Sequence, residues 1–181
     1  SGHIKAIGYE LYLKLIEQTM AELKGEEWTE EVFPEINCDI PVFIPHRYIE
    51  ESDVRLHIYR RLSTIKDKLE LQEIIREIED RFGPPPKEVL NLISIIKVKI
   101  GLKRIGSTRM DVEDGFVILS FSKDTHLTPT MLVDVAARHP ENFRLLSDRK
   151  LKVMSKRKGV LATIEETGKI IARFQHYLTK D

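Results

Sequence analysis

Apolar residues recur at helical spacing through the first part of the chain, and this pattern predicts four helices there. The first is an amphipathic helix from Tyr9 to Lys24, which Gly25 ends. The second begins at a Ser52 or Asp53 cap, and the third begins at an Asp67 cap. The fourth runs from Pro86 to about residue 105, and its broad apolar surface indicates burial against several neighbours. The apolar sets of the last three are Leu56, Tyr59, Leu62 and Ile65; Leu71, Ile74, Ile75, Ile78 and Phe82; and Val89, Leu92, Ile93, Ile95, Ile96, Ile100 and Leu102.

Alternation of apolar and polar residues predicts strands elsewhere in the chain. Residues 36–40 alternate in this way, and the prolines that follow favour an edge position or an irregular extension. Strands 108–112 and 116–121 are expected to form a hairpin, because the Asp-Gly pair between them is typical of a tight turn. A second pair of strands, 143–146 and 151–154, is expected to turn at Asp148.

Two more helices complete the predicted fold. One opens at Thr128-Pro129 and ends near His139, and the other runs from Val160 to Leu178. The order of elements predicts an α+β domain, in which a helical cluster packs with short antiparallel strands or hairpins and a C-terminal helix closes the fold.

The segment from Asp80 to Pro86 joins two of the predicted helices. Gly83 favours the positive backbone angle that closes a helix, and the prolines after it prevent continuation. Pro86 suits the first position of the next helix. The sequence predicts a rigid corner, and it leaves open whether the corner also presents a surface to a partner.

The helix before this corner carries an acidic stripe, formed by Glu70, Glu73, Glu77 and Asp80. One interpretation is an ordinary solvated face. The other is a binding surface for a basic partner, since like charges at this spacing mildly destabilise a helix and need compensation. Arg81 lies at the edge of the stripe and would join the same contact.

Composition describes a globular protein with an uneven distribution of charge. The 181 residues carry 29 basic and 29 acidic side chains; residues 1–90 hold 12 basic and 19 acidic ones, and residues 91–181 hold the remainder. A neutral total argues against a dedicated nucleic-acid-binding protein. The lone Cys38 suits a reducing cytoplasm and is expected in the core. No apolar run reaches the roughly 20 residues that a membrane span requires.

Catalytic and cofactor motifs are not found in the sequence. The six histidines are scattered, so no metal site is expected. Gly101 and Gly106 imitate the glycine spacing of a phosphate-binding loop, but the required Lys is absent and the segment is predicted to close a helix. We therefore expect no enzyme activity, cofactor or ATP site in this chain.

A basic run provides the alternative function, contact with nucleic acid. It holds six cationic residues within ten positions, and these would neutralise phosphates. However, apolar residues alternate with part of the run, which indicates a solvated strand face, and no aromatic residues lie between the charges to stack on bases. The six are Arg149, Lys150, Lys152, Lys156, Arg157 and Lys158.

Several blocks of sequence resemble the C-terminal domain of bacterial transcription-repair coupling factors. The resemblance is carried by Tyr59-Arg60-Arg61-Leu62, by Leu71 to Ile78 and by Asp80-Arg81-Phe82-Gly83-Pro84-Pro85-Pro86. It also includes Gly2-His3-Ile4, Gly8-Tyr9, Leu11-Tyr12, Pro41, Ile44-Pro45 and Tyr48-Ile49, and it fades after about Ile105.

The resemblance implies a part of a larger machine. The whole protein would be an ATP- and Mg-dependent superfamily 2 translocase on double-stranded DNA that releases stalled RNA polymerase and recruits the excision-repair protein UvrA. Residues 1–31 would connect from the motor, and residues 32–181 would form a monomeric, cytoplasmic regulatory domain. This domain would cover the UvrA-binding surface of the protein's own UvrB-like N-terminal module, with Glu77 and Asp80, and less directly Glu73 and Arg81, at the contact.

Deletion of residues 1–31 is expected to leave a folded domain, because Gly25 and an acidic segment separate the first helix from the rest. Thermal unfolding followed by circular dichroism would check this. Loss of the cooperative transition in the shortened chain would show that the first helix belongs to the core.

Overall fold

The structure is a computed structural model that describes residues 34–178 and the single position Leu23. The helix expected from Tyr9 to Lys24 therefore falls outside the described residues, apart from that one position, and the boundary at residue 31 stays a prediction. The elements in chain order are β1 (Glu35–Asn37), α1 (Ser52–Ser63), α2 (Lys68–Phe82), α3 (Lys87–Arg104), β2 (Ser107–Glu113), β3 (Phe116–Phe121), α4 (Pro129–Arg138), β4 (Phe143–Ser147), β5 (Lys150–Met154), α5 (Val160–Ala172) and α6 (Phe174–Leu178).

The five strands form one sheet in the order β1-β2-β3-β5-β4. The expected α+β class is confirmed, and both hairpins have their expected antiparallel pairing. Asp114 and Gly115 form the two-residue turn of the first hairpin, and Gly115 at its second position has a positive φ of 84°, which glycine adopts readily.

Strand β1 departs from the expected antiparallel arrangement, because it pairs in parallel with β2 at the edge of the sheet. Three helices lie between these two strands along the chain, and such a crossover lets the second strand run in the same direction as the first. The expected edge position is confirmed. Cys38, just after β1, is 3% exposed and belongs to the core, as expected.

Helix α3 separates two hydrophobic cores and contributes side chains to both, which confirms the prediction that it is buried against several neighbours. Val89, Leu92, Ile93 and Ile96 belong to a helical core shared with α1 and α2. Ile95, Val98 and Leu102 belong to a larger core shared with the sheet, α4, α5 and α6.

Helices α3 and α5 approach closely through two glycines. A Cβ atom on Gly101 would lie 2.9 Å from Cγ2 of Ile171, and one on Gly168 would lie 3.0 Å from Cγ2 of Val98. Glycines at both crossing points therefore let each helix receive a branched side chain of the other. Gly101 has this packing role within α3, as expected for a segment that closes a helix rather than a phosphate loop.

The prediction of one helix from Val160 to Leu178 is wrong in one respect. The helix is interrupted at Arg173 and continues as a short second helix. The Arg104 side chain donates to the Ala172 carbonyl, and the His176 N–H turns to the Arg173 carbonyl instead. This side-chain bond from a distant helix pairs the Ala172 carbonyl at the point where α5 ends and the short α6 begins. Phe174 then packs edge-on against Phe143, with the ring centres 5.7 Å apart.

The predicted starts of the helices are correct in part. Asp67 accepts from the Leu69 and Glu70 N–H groups, and Thr128 accepts from Met131, so both expected caps are confirmed. Glu51 precedes α1 without a side-chain cap, so neither Ser52 nor Asp53 caps it. Pro86 precedes α3 instead of occupying its first position.

No helix in the described part of the chain is long and apolar enough to cross a membrane.

Replacement of Leu92 by Ala is expected to lower the free energy of unfolding by about 2–5 kcal/mol, because this side chain is fully buried in the helical core. Leu90→Ala on the same helix is the matched control: Leu90 is 49% exposed, and we expect a change within about 0.5 kcal/mol. Urea denaturation of both variants would measure the difference. Equal costs would contradict the two-core arrangement around α3.

Candidate functional site

Helix α2 presents its acidic stripe outward because its opposite face is held in the helical core. Leu71, Ile74 and Ile78 are buried there. Glu73 and Asp80 are exposed, and Glu77 is partly exposed, on the other side of the helix. The amphipathic pattern of the sequence therefore places these acids correctly.

The first acid of the stripe has a local structural role. One carboxylate oxygen of Glu70 accepts the backbone N–H of Lys66 at 3.0 Å, while Asp67 caps the N–H of Glu70. These reciprocal bonds form a variant of the capping box, and they assign Glu70 to the start of the helix.

Glu77 is held by two arginines. Its Oε2 accepts from Nη1 of Arg61 on α1 at 2.5 Å, and its Oε1 accepts from Nη1 of Arg81 at 3.3 Å. The bond from Arg61, followed by its charge and by Arg81, lowers the pKa of Glu77 against a smaller opposing effect of burial. Glu77 therefore stays ionised at a lower pH than an ordinary glutamate.

Glu73 and Asp80 differ from Glu77 in having no such partner. Neither makes a hydrogen bond or ion pair to other residues in the described ranges. With Glu77, Arg61 and Arg81 they form a surface of five charged groups whose sum is −1. We call these five residues the α2 surface. It is less acidic than the stripe alone suggests.

Arg61 is the member of this surface that the sequence analysis did not identify. It belongs to the Tyr59-Arg60-Arg61-Leu62 block, but no spacing rule relates it to a residue sixteen positions away on another helix. Only the packing of α1 against α2 brings the two side chains together.

The corner after α2 is fixed by several contacts. Gly83 has a φ of 79°, and its N–H donates to the Glu79 carbonyl at 2.9 Å. The Tyr48 hydroxyl donates to the Gly83 carbonyl at 2.7 Å, and the Tyr48 ring lies edge-on to Phe82. Burial, and then the charge of Glu79, raise the pKa of Tyr48, so this hydroxyl stays protonated.

Arg81 is held in place from the corner side as well. Its guanidinium carbon lies 4.9 Å from the centre of the Phe82 ring, a distance typical of a cation–π contact. The rigid corner predicted from the glycine and the prolines therefore extends into the α2 surface through Phe82 and Arg81.

The basic run does not form a single patch. Arg149 and Lys150 lie at the start of β5, and Lys156, Arg157 and Lys158 follow its other end. Because a strand rises about 3.3 Å per residue, the two groups are separated by more than roughly 13 Å.

Several cations of the run already have partners within the domain. Arg149 donates to the Ser122 carbonyl at 2.9 Å, and Nζ of Lys152 lies 3.5 Å from the centre of the Phe116 ring. Arg157 lies 3.7 Å from Glu165. An aromatic residue does therefore lie beside the run, on the neighbouring strand, but Lys152 covers it.

The loop after β5 is organised by Glu166, whose role the sequence did not indicate. Its Oε2 accepts from the Ser155 hydroxyl and from the backbone N–H groups of Lys156 and Arg157. These bonds, with the one from Ser155 first, lower the pKa of Glu166. This carboxylate, which lies on α5, therefore holds the loop after β5 in place. Part of the basic run thus has a structural role within the domain.

Among the described residues, no three His, Cys, Asp or Glu side chains are grouped so that they could hold a metal ion. The site residues that the sequence singled out thus lie on two separate surfaces, the α2 surface and the region of the basic run around β5.

Comparisons of the sequence with known proteins find relatives that share one name, transcription-repair-coupling factor. The sequence model of the TRCF domain matches residues 38–132. The transcription-repair-coupling factor of Rickettsia bellii (strain RML369-C) is 32% identical over 161 residues, which cover 88% of this chain and 14% of that protein. The protein of the same name from Escherichia coli (strain K12) is 28% identical over 158 residues, again 14% of its length. The chain therefore spans about one seventh of these relatives.

A solved structure shares the fold. The crystal structure of the C-terminal domain of a transcription-repair coupling factor superposes with a TM-score of 0.63, covering 81% of this chain and 91% of that one, at 21% sequence identity. The family match spans more than half of the chain, and the relatives cover most of it. The chain therefore belongs to the TRCF domain family of transcription-repair-coupling factors.

Proposed function

We propose that this chain is a non-catalytic regulatory domain that autoinhibits a transcription-repair coupling factor. It binds the UvrB-like N-terminal module of the same protein through the α2 surface and covers the site where UvrA binds. The observation that carries this proposal is the exposure of Asp80 and Glu73, without partners in the described part of the chain, beside a carboxylate that two arginines hold in place.

The energetics favour a binding role over a folding role for these two acids. Solvent-exposed charges contribute only about 0.2–1 kcal/mol to fold stability, and acids that lack a partner contribute less. The same charges, desolvated against a cation in an interface, cost about 2–5 kcal/mol when one partner is removed. Asp80 and Glu73 therefore gain most of their stabilisation from a partner.

The whole protein would supply the remaining activities. The chain spans 14% of the length of these relatives. We assign the ATP- and Mg-dependent motor on double-stranded DNA and the contact with RNA polymerase to the parts of the protein outside this chain. We place this domain in the bacterial cytoplasm as a monomeric unit without its own cofactor.

Nucleic-acid contact through the basic run is the alternative function. The internal contacts of Arg149, Lys152 and Arg157 reduce the charge that remains for phosphates. The geometry supports this function less well than it supports the α2 surface.

Charge reversal of Asp80 or Glu73 to Lys is expected to weaken binding of the separate N-terminal module by at least about tenfold, or 1.4 kcal/mol. Thermal stability is expected to change little. Asp134→Lys is the matched control, because Asp134 is also an exposed helical acid but lies on α4, which packs against β4. Isothermal titration calorimetry would measure the affinities.

In the full-length protein, Asp80→Lys is expected to increase the affinity for UvrA, because the covering contact is lost. Glu77 is a poorer choice for this test, since its replacement also releases Arg61 and Arg81. A folded Asp80→Lys protein whose UvrA affinity equals that of the Asp134→Lys protein would contradict autoinhibition through this surface.

Titration with duplex DNA tests the alternative. Six phosphate contacts would give a slope of about −5 in a plot of log affinity against log salt concentration. Since the run is divided and partly paired, we expect weak binding with a much shallower slope. A slope near −5 that becomes shallower by about 2 in a Lys156→Gln/Lys158→Gln variant would favour the nucleic-acid function instead.

A further inference from the structure

Arg61 connects the two helices at the α2 surface. It lies on α1 among the buried residues Ile58, Tyr59 and Leu62, and its own side chain is 32% exposed. Its guanidinium donates to Oε2 of Glu77 on α2. Within the part of the chain that the structure describes, it makes the one ion pair of this surface that joins two different helices.

The bond to Arg61 limits where the Glu77 carboxylate can lie. Glu77 has one oxygen on Arg61 and the other on Arg81, so its position is set from both sides. An ionised carboxylate has about four lone-pair positions, and two arginine bonds leave further positions available. Glu77 can therefore accept a further hydrogen bond from a partner without releasing Arg61.

Arg81 is positioned by the same arrangement. It bonds to Glu77 on one side and lies over the Phe82 ring on the other. If Arg61 were absent, Glu77 would be held only by the longer 3.3 Å bond from Arg81, and both side chains would gain rotamer freedom.

We infer that Arg61 is a positioning residue of the interaction surface, which holds Glu77 and, through it, Arg81 in the arrangement that the partner recognises. This inference rests on the proposed function of the α2 surface. The inference also describes the surface of the partner. That surface supplies cations to Asp80 and Glu73, whereas the charge of Glu77 is already neutralised by Arg61 and Arg81. A uniformly basic surface would face Arg61 and Arg81 with like charge, so the matching surface is of mixed charge.

The test replaces Arg61 by Gln in the full 181-residue chain and measures binding to the separate N-terminal module. We expect the affinity to fall five- to tenfold, because the partner must then order Glu77 and Arg81 itself. Arg61→Lys retains the cation near Glu77 and is expected to restore part of the loss. Arg60→Gln is the matched control, since Arg60 is the exposed neighbour on the same helix and removes the same charge.

A second measurement separates positioning from a general effect on folding. The Glu77 carboxyl group is titrated by carbon NMR in the unbound chain. The charged groups that lower the pKa of Glu77 are Arg61 from α1 and Arg81 from α2 itself. Removal of Arg61 is expected to raise the pKa of Glu77 towards that of an ordinary glutamate, whereas Arg60→Gln leaves it unchanged and Arg61→Lys gives an intermediate value.

The outcomes distinguish the inference from the function on which it rests. An Arg61→Gln chain that binds as tightly as Arg60→Gln, or more tightly than the original chain, would overturn the inference even if Asp80→Lys still abolishes binding. If Asp80→Lys and Glu73→Lys have no effect, the proposed function itself is wrong. If Arg61→Gln does not fold, Arg61→Lys decides: unchanged affinity together with a raised Glu77 pKa would overturn the positioning role.

Discussion

The burial of helix α3 on both of its sides is the constraint on which the rest of the structure depends. Its residues contribute to the helical core with α1 and α2 and also to the core under the sheet. Glycines at its crossing with α5 bring the two helices close, and Leu102 and Leu92 are fully buried. Because α2 packs on this helix through its apolar side, the acidic side faces outward, and the corner between α2 and α3 cannot change its angle without disturbing a core.

The α2 surface combines charges with different roles. Glu70 belongs to the helix start, and Glu77 is shared by two arginines, so Glu73 and Asp80 are the acids left for a partner. Of the four acids in the stripe, two therefore carry negative charges that no described residue neutralises. In the contact that we propose, such an arrangement gives specificity through geometry more than through total charge.

Most of the helices and strands could be predicted because local signals determine them. Asp67 and Thr128 cap helices by bonds within four residues, and the Asp114-Gly115 turn closes a hairpin between adjacent strands. Two of the errors involve distant residues. Strand β1 runs parallel because of a three-helix crossover, and Arg104 interrupts the last helix by taking the Ala172 carbonyl. Neither partner can be recognised from a local pattern.

The sequence by itself determined which faces of the helices are buried, where α2 ends, and which family the chain resembles. The first two properties follow from the helical period and from the backbone limits of glycine and proline, which act over a few residues. The resemblance is carried by blocks of sequence such as Asp80 to Pro86. The tertiary structure alone decided which charges remain free. It paired Arg61 with Glu77 across sixteen positions and divided the basic run between the ends of β5. Ion pairs depend on side-chain distances of a few ångströms, and only the packing of whole elements sets those distances.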